Sequence, residues 1–171
     1  MLGLIIYESD MKTNPSSRIP VNMYFEDVKV GQELSTESHC ISESDIFTFA
    51  KVTRDQHPLH TDPEYCKQTE FGKPIAHGLF GLSLMEGLKA ETQIYEQTSI
   101  ASLGWDKVRF LKPLFADQRV YVVFKFTDKR LSRKPHRGVV TEEVKLMTDD
   151  GEILVEGLHI TLLKCRFSKD N

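Results

Sequence analysis

Residues 74–92, PIAHGLFGLSLMEGLKAET, predict a helix that is buried on almost all of its sides. Pro74 introduces this segment, because proline is tolerated at the beginning of a helix but not in its interior. At about 100° per residue, the large apolar side chains surround nearly the whole helix, which is typical of a helix inside a core. These side chains are Leu79, Phe80, Leu82, Leu84, Met85 and Leu88.

Four β-rich stretches follow this helix and indicate an antiparallel sheet. They cover residues 102–111, 119–127, 139–147 and 152–164. Asp149, Asp150 and Gly151, between the last two stretches, form a hairpin-turn signal. A further strand is expected within residues 32–41. Strand, helices and then a run of strands predict an α+β fold, in which one buried helix packs against an antiparallel sheet.

Two shorter helices are predicted between the first strand and the buried helix. Ser42 and Asp45 have the spacing of a capping box, which marks the beginning of the first of them. Pro58 cannot lie inside that helix, so we expect the helix to end before it. Asp62 followed by Pro63 is a second helix-start signal, with an N-cap and a proline at the first helical position.

Length and composition indicate one globular domain. The 171 residues carry a formal net charge of −3 and 40% hydrophobic residues, which gives no general electrostatic reason to expect binding to nucleic acids or membranes. No apolar run approaches the roughly 20 residues of a transmembrane helix. The three cysteines are scattered and indicate neither a disulfide framework nor a Cys-based zinc site. We expect a cytoplasmic protein with an irregular N-terminal arm over residues 1–21 and a single domain over residues 22–167.

Four ionisable side chains lie close together in residues 55–62, DQHPLHTD. The proline forces this segment out of regular helix, so the segment can direct Asp55 and His60 into a cleft. A carboxylate and an imidazole are the minimum pair for general acid–base catalysis. The alternative is structural: Asp62 caps a helix, Asp55 and His57 are solvated, and His60 is packed.

A second cluster, residues 72–78 with the sequence GKPIAHG, leads directly into the buried helix. Backbone N–H groups at a helix N-terminus lack intrahelical acceptors and attract negative charge. Gly78 leaves this backbone open to a ligand oxygen, which suits an oxyanion site. The alternative is that Gly78 only permits tight packing.

Together the two clusters resemble the MaoC-like dehydratases, a hot-dog-fold family that includes the (R)-specific enoyl-CoA hydratases. The pattern D-x-x-P-x-H-x-D in residues 55–62 is followed by P-I-x-H-G in residues 74–78 and then by the buried helix. Further similarity lies in residues 24–31, 41–45 and 108–114. The resemblance covers residues 24–164, and it implies a hot-dog fold whose antiparallel sheet wraps around the central helix.

This resemblance implies a lyase of fatty acid metabolism that reversibly hydrates a 2-enoyl thioester to a 3-hydroxyacyl thioester. In that reaction Asp55 activates the water, His60 orients it and shares in proton transfer, and the Gly78 N–H holds the thioester oxygen. The other residues expected at the substrate are His77, Ser83 and Glu86. We expect Asp55 to be buried, because partial removal from water suits a catalytic base. The resemblance implies no metal or redox cofactor, and CoA or acyl-carrier pantetheine forms part of the substrate.

The sequence departs from the family pattern at two positions. His57 stands where the family usually has Asn before the proline, and an imidazole can replace it if that side chain orients the loop by hydrogen bonds. Glu86 stands where (R)-hydratases often carry a small hydroxyl residue near the acyl pocket. It shares a helix face with Ser83 and Ala90, and Lys89 is a candidate partner for its charge. A carboxylate in the pocket favours a polar or short acyl group; the alternative is an exposed Glu86.

Other functions remain open beside the hydratase. A metal site is one, because histidines and carboxylates suit zinc or iron; its ligands would be His57, His60 and Asp62, with Asp55 and His77 near. A non-catalytic module that binds acyl thioesters is another, and an acyl-CoA thioesterase is the third, because one fold can host several functions.

Basic residues are candidates for contact with the phosphates of CoA or with an acidic acyl-carrier protein. Lys73, Arg109 and Lys112 are the individual candidates. Residues 129–137, KRLSRKPHR, are the most charged segment, which we otherwise interpret as a solvated loop between strands. In this family two hot-dog units typically join with the pocket at their junction. Because the chain has room for one unit, we expect a homodimer or a higher homo-oligomer.

Overall fold

The computed structural model describes residues 19–166. In chain order its elements are a 3-10 helix at Phe25–Asp27, β1 at Glu33–Ser35, β2 at His39–Cys40, α1 at Glu43–Thr53, α2 at Pro58–Thr61, α3 at Pro63–Cys66, α4 at Gly78–Glu91, β3 at Ser99–Phe110, β4 at Arg119–Leu131, β5 at Arg137–Thr148 and β6 at Ile153–Lys164. The predicted arm over residues 1–21 lies outside the described residues except for residues 19–21.

The strands form one antiparallel sheet, as the sequence predicted. Their order is β1-β4-β5-β6-β3, and β2 pairs with the first residues of β4. The predicted turn at Asp149–Gly151 is present between β5 and β6, where the Gly151 N–H donates to the Thr148 carbonyl at 2.9 Å. β3 is the last strand in this order, so among the described residues its outer edge pairs with no further strand.

The central helix α4 packs against β4, β5 and β6. Met85 and Leu88 of α4 are buried in the same core as Phe124 and Phe126 of β4. Gly81 allows the helix to approach the sheet closely, because a Cβ at this position would lie 2.9 Å from Cγ2 of Val155. The core therefore lies between one face of the sheet and one face of α4.

The prediction that α4 is buried on almost all sides is wrong for one of its faces. Leu79 is 60% exposed, and Ser83, Gly87 and Ala90 are exposed as well. These residues share one side of the helix. The sheet covers α4 from the opposite side only, so the apolar and small residues of this face are open within the described chain.

α1 begins with the predicted capping box and ends where the sequence predicted. Ser42 Oγ accepts from the Asp45 N–H at 3.2 Å, and Asp45 Oδ2 accepts from the Ser42 N–H at 3.1 Å. Arg54 follows the last helical residue in the left-handed conformation, with φ of 68°. This conformation turns the chain away from the helix axis ahead of Pro58.

Two predicted elements differ from the observed ones. The strand expected over residues 32–41 is divided into the short β1 and β2, with residues 36–38 between them. The basic segment over residues 129–137 contains the predicted loop between strands at residues 132–136, but its remaining residues belong to the ends of β4 and β5. Lys129 Nζ donates to the Val28 carbonyl at 2.7 Å, so this charge anchors the chain after the 3-10 helix.

None of the helices within residues 19–166 is long and apolar enough to cross a membrane.

Candidate active site

The loop between α1 and α2 carries the first cluster of candidate residues. His57 is the N-cap of α2, and its Nδ1 accepts from the Leu59 N–H at 3.2 Å. An imidazole therefore orients this loop by a hydrogen bond, as expected for the residue before Pro58. Asp62 caps α3 by accepting from the N–H groups of Glu64 and Tyr65 at 2.9 and 3.1 Å.

His60 lies half-buried on α2 with one ring nitrogen fixed. Its Nδ1 is 2.7 Å from the Ile75 carbonyl oxygen. A carbonyl can only accept, so Nδ1 carries the hydrogen and Nε2 keeps its lone pair. Burial lowers the pKa of His60 and the nearby His77 ring lowers it further, which outweighs the raising effects of the Ile75 carbonyl and Asp55. His60 is therefore a neutral base at physiological pH.

His77 is buried immediately before α4 and contacts both parts of the site. Its Nε2 donates to the Asp55 carbonyl at 2.8 Å, and its ring stacks on that of His60 with centroids 3.7 Å apart. Its Nδ1 is buried without a hydrogen-bond partner among the described residues. His77 thus ties the Asp55 loop to the beginning of the central helix.

Asp55 is exposed, so the prediction that it is buried is wrong for the described chain. The side chain of Asp55 is 57% exposed, and its Oδ2 lies 3.8 Å from His77 Nε2. The backbone carbonyl of Asp55 contacts the buried His77, whereas its carboxylate remains accessible to water. Ligand atoms of Asp55, His60 and His77 nevertheless all lie within 4.8 Å of one another. The structure brings together the carboxylate and the two imidazoles.

Gly78 occupies the first position of α4, beside His77. Its N–H belongs to the first turn, which has no intrahelical acceptor, and it donates to no acceptor within residues 19–166. A Cβ at this position would lie 2.7 Å from Cγ of Phe110. Gly78 therefore has a packing role as well as a free backbone donor, and the two interpretations from the sequence are compatible.

Two cavities open beside the site, and each contains one of the candidate basic residues. Lys73 and His60 line a cavity of about 270 Å³, while Lys112 and Gly78 line one of about 310 Å³. Lys73 lies over the Phe115 ring, and Lys112 forms an ion pair with Glu152.

Other candidate residues lie apart from these cavities. Arg109 is exposed on β3 and Ser83 is exposed on the open face of α4. Glu86 is half-buried and lines a different cavity together with Lys89. Ser83, Glu86 and Arg109 therefore line neither of the cavities beside Asp55, His60 and His77.

The cluster also has the composition of a metal site. Asp55, His60 and His77 can each offer one ligand atom. His57 and Asp62 belong less well to such a site, because both side chains accept backbone hydrogen bonds as helix caps. A metal bound through His77 Nε2 would also have to displace the hydrogen bond to the Asp55 carbonyl.

The sequence interpretation missed a buried charged cluster at the other half of α4. Lys89 Nζ lies 2.6 Å from Glu142 Oε2, and Tyr95 and His159 complete the cluster. Glu142 and His159 are opposite each other on β5 and β6. Alternation along each strand places them on the same face as Val144 and Thr161, so the pattern of every second residue would have predicted that they point inwards.

Known proteins share both sequence and architecture with this chain. The family model described as MaoC like domain matches residues 25–147. Nodulation protein N of Rhizobium meliloti (strain 1021) is 36% identical over 108 residues, which are 61% of this chain and 67% of that protein. The (R)-specific enoyl-CoA hydratase of Aeromonas caviae is 30% identical over 135 residues, which are 79% of this chain and 95% of that enzyme. The match to Protein MaoC of Klebsiella aerogenes spans only 34% of that protein's length.

Solved structures agree with the sequence matches. Monoamine oxidase regulatory protein from Archaeoglobus fulgidus superposes with a TM-score of 0.78 at 32% identity, over 87% of this chain and 99% of that one. A conserved hypothetical protein from Mycobacterium tuberculosis with a double hot-dog fold superposes with a TM-score of 0.74 at 19% identity, over 88% of this chain and 46% of that one. The second likeness shows the fold alone. This chain therefore has the hot-dog fold and belongs to the MaoC-like domain family.

Proposed function

We propose that this chain is a hydro-lyase that reversibly hydrates a 2-enoyl thioester to a 3-hydroxyacyl thioester. The observation that carries the proposal is the placement of Asp55, His60 and His77 within 4.8 Å of one another, at the beginning of a helix with a free N–H at Gly78. Hydratase and dehydratase names among the relatives support the reaction type.

The addition of water requires a base, an acid and a stabilised enolate. Asp55 accepts a proton from water while the water oxygen bonds to the β carbon of the enoyl group. His60 Nε2, whose lone pair is free because Nδ1 is held by Ile75, orients the water by accepting a hydrogen bond from it. Nε2 then receives the proton from the Asp55 carboxyl and passes it to the α carbon, which leaves Asp55 ionised and His60 neutral again. The reverse sequence removes water, so the same groups serve both directions.

The negative charge that develops during this step resides on the thioester oxygen. The Gly78 N–H is positioned to donate to that oxygen, with support from the positive end of α4. Because Gly78 follows the buried His77 directly, the oxyanion donor and the catalytic loop have a fixed spacing.

The thioester is carried by CoA or by acyl-carrier pantetheine in this proposal. Lys73 and Lys112 line the cavities beside His60 and Gly78, so both are suited to contact phosphates, and Arg109 is exposed on the neighbouring strand. These contacts predict that the affinity for CoA thioesters decreases with added salt, and that this dependence disappears in a variant in which the basic residues are neutralised.

The proposed reaction uses no metal or redox cofactor. Activity that survives chelation, in protein shown by elemental analysis to contain no metal, supports this. Activity that is lost with the metal and returns with zinc or iron would assign Asp55, His60 and His77 as ligands instead.

We also propose that the working form is a cytoplasmic homodimer or higher homo-oligomer. The outer edge of β3 and the open face of α4 present exposed apolar side chains, among them Leu79, Leu103 and Phe110. Unpaired strand edges and apolar patches are surfaces that a second copy can cover.

One assay tests the proposed reaction. Crotonyl-CoA is followed at the absorbance of the enoyl thioester while free thiol is measured in parallel. Loss of the enoyl signal without thiol supports the hydratase, whereas thiol release indicates a thioesterase. No change of either signal over a range of acyl chain lengths would leave a binding module.

A further inference from the structure

The turn between β4 and β5 carries a cluster of basic side chains that the proposed reaction does not use. We call residues 130–137 together with Lys164 of β6 the basic hairpin. Its side chains are exposed at Arg130, Arg133, Lys134 and Lys164, and Arg137 is half-buried. The formal net charge of the chain is −3, so the basic hairpin is a local excess of positive charge.

These charges have no carboxylate partners in the described part of the chain. None of the four arginine and lysine side chains in residues 130–137 forms an ion pair within residues 19–166. Two acids lie at the same end of the sheet, but Arg166 contacts both: its N–H donates to Glu26 at 3.0 Å, and its guanidinium lies 2.6 Å from Asp27. The basic hairpin therefore presents its charge to the outside.

Strand register places three of these cations on one face of the sheet. Arg137 is directly opposite Lys164, and Arg130 is opposite Val139, two residues after Arg137. Opposite residues share a face, as do residues i and i+2 of a strand. Like charges opposite each other are destabilising, and Nε of Arg137 is buried without a hydrogen-bond partner within residues 19–166. An anionic surface over this end of the sheet would relieve both.

An exposed apolar side chain within the cluster indicates the kind of partner. Leu131 is 64% exposed in the middle of the basic hairpin. A small anion would pair with the cations and leave Leu131 in water, whereas a protein surface with carboxylates around apolar side chains contacts both. An acidic acyl-carrier protein is a partner of this kind, and it can carry the thioester on which the proposed reaction acts.

Within one chain the basic hairpin lies far from Gly78. Ser99, the first residue of β3, is opposite Leu163, and Leu163 is opposite Gly138 beside the hairpin. Phe110, the last residue of β3, lies at Gly78. A strand of this length spans about 35 Å, so the two sites are at opposite ends of the sheet.

In the proposed homodimer the distance to the second copy is shorter. A two-fold axis that pairs β3 with its copy makes the two strands antiparallel, which brings the basic hairpin of one copy to the sheet end that holds Gly78 of the other. From β5 of one copy through β6 and β3 to β3 of the other there are three strand spacings, or about 15 Å. A phosphopantetheine arm has as many bonds as four or five peptide residues, so it also reaches about 15 Å.

We propose that the basic hairpin of one copy docks an acidic acyl-carrier protein, which delivers its thioester to the active site of the other copy. The inference rests on the proposed hydration of an enoyl thioester and on the proposed homodimer. It assigns the hairpin to recognition of the carrier protein, so these residues do not touch the reacting atoms.

The kinetic test uses a hairpin variant with the substitutions Arg130→Gln, Arg133→Gln and Lys134→Gln. Its substrates are crotonyl-CoA and the crotonyl thioester of a purified acidic acyl-carrier protein. We expect KM for the carrier substrate to rise at least about tenfold, and kcat/KM for crotonyl-CoA to stay within about twofold of wild type. An unchanged KM for the carrier substrate, or an equal loss with both substrates, overturns the inference. Wild-type turnover of crotonyl-CoA leaves the proposed function intact in either case.

A matched control separates the hairpin from the net charge of the chain. It removes three cations from other positions of the same two strands, with the substitutions Arg119→Gln, Lys125→Gln and Lys145→Gln. This control should keep the wild-type KM for the carrier substrate. A rise in KM equal to that of the hairpin variant shows an effect of net charge alone and overturns the inference.

A binding measurement tests the hairpin even if there is no turnover. Titration calorimetry with the butyryl thioester of the same carrier protein should show binding to the wild type that weakens with added salt and is at least about tenfold weaker in the hairpin variant. Equal binding by both proteins, or no binding, overturns the inference. Sedimentation with phosphatidylglycerol vesicles tests a membrane instead: vesicle binding that the hairpin variant loses, without any change in carrier binding, also overturns it.

Mixed dimers, purified through two different tags, test which copy supplies the hairpin. In the first, one copy carries Asp55→Asn and the other carries the hairpin substitutions, so the intact active site faces the intact hairpin of the other copy. We expect wild-type KM for the carrier substrate. In the second, one copy carries all of these changes and the other is wild type, and KM should rise as in the hairpin variant. The opposite pair of results overturns delivery between copies.

Discussion

The imidazole rings of His60 and His77 stack with their centroids 3.7 Å apart and their planes 28° apart. Each ring donates one hydrogen bond outside the pair, His60 to the Ile75 carbonyl and His77 to the Asp55 carbonyl. These two bonds fix the tautomers and leave the lone pairs of His60 Nε2 and His77 Nδ1 free. The stack therefore sets the orientation of His60 beside the loop that carries Asp55.

The proposed catalytic pair of Asp55 and His60 gives the first prediction. Asp55→Asn keeps the backbone carbonyl that His77 contacts but removes the charge, and His60→Asn removes the Nε2 lone pair. We expect each to lower kcat for crotonyl-CoA by about 100-fold to 10,000-fold, the contribution typical of a positioned acid or base. Circular dichroism and thermal melting should remain native-like.

Asp128→Asn, at an exposed position of β4, is the matched control and should retain wild-type kcat. Turnover within a factor of a few of wild type in Asp55→Asn or His60→Asn contradicts the assignment of the pair.

The lowered pKa of His60 predicts the acid limb of the pH profile. In the proposed reaction His60 works in its neutral form, so kcat/KM should fall with decreasing pH only below the ordinary value of 6.5. Stability should also decrease with decreasing pH, because the pKa of His60 is higher in the unfolded chain than in the folded one. The unfolded chain therefore binds the proton first, and the free energy of unfolding decreases as pH falls from 6.5 to the pKa of His60 in the folded chain.

We measure kcat/KM, and the free energy of unfolding by chemical denaturation, between about pH 4.5 and 8, a range that includes the ordinary His pKa of about 6.5. His136→Asn removes an exposed histidine in the turn between β4 and β5 and should leave both curves unchanged. An acid limb centred above 6.5 would show that protonated His60 is not the inhibited form.

Local rules predicted most of the elements around this site. The capping box of Ser42 and Asp45 and the Asp62-Pro63 start both depend on neighbours within four residues, and both are present as predicted. The hairpin at Asp149–Gly151 is equally local. Such signals place the loop with Asp55 and His60 between helices without any knowledge of the tertiary fold.

Tertiary relationships were harder to predict from the sequence. The exposure of Asp55 depends on which surface its loop crosses, and no local pattern of residues 55–62 encodes that. Glu142 and Lys89 meet across 53 residues of sequence, so their pairing becomes visible only when the helix lies on the sheet. The open face of α4 depends likewise on the sheet covering one side only.

The contact between Gly78 and Phe110 gives a prediction with an internal control. In Gly78→Ala the new Cβ would lie 2.7 Å from the Phe110 ring, so the ring or the first turn of α4 must shift. We expect a loss of about 1–3 kcal/mol of stability and a fall in kcat/KM of about tenfold or more, as a displaced oxyanion donor implies. Chemical denaturation and crotonyl-CoA kinetics measure the two effects.

Gly87→Ala makes the same change on the same helix, where a Cβ would meet nothing within 4 Å. It should be neutral or more stable by about 0.5–1 kcal/mol, because alanine favours helix over glycine. Equal effects of Gly78→Ala and Gly87→Ala on stability and kcat/KM would show that the contact with Phe110 is not the cause.

The buried pair of Lys89 and Glu142 predicts a non-additive stability effect. Burial alone raises the pKa of Glu142, but the charge of Lys89 and hydrogen bonds from His159, Lys89 and Tyr95 outweigh it and lower the pKa to about 2. Lys89→Met leaves a buried carboxylate without its cation and should cost about 3–5 kcal/mol. Adding Glu142→Gln should restore part of that loss.

Denaturant unfolding of the two single variants and the double variant measures the coupling. Lys67→Met breaks an exposed pair with Glu64 and should change the free energy of unfolding by less than about 1 kcal/mol. The stability that ionised Glu142 contributes is fully present above pH 4.5 and is lost as the pH falls towards 2. If the changes in the free energy of unfolding of the two single variants add up to that of the double variant, Lys89 and Glu142 are not coupled.

The exposed edge of β3 predicts how the chain assembles. Leu103 and Phe110 of β3 are 53% and 51% exposed on the strand that ends the sheet. Leu103→Glu places a charge on this edge, where burial against a second copy would leave it unpaired. We expect the wild type to have twice the chain mass or more by light scattering and Leu103→Glu to shift towards the monomer. Leu131→Glu, on β4 at a comparably exposed site, is the control and should keep the wild-type mass. A wild type that is monomeric at micromolar concentration would exclude assembly through β3.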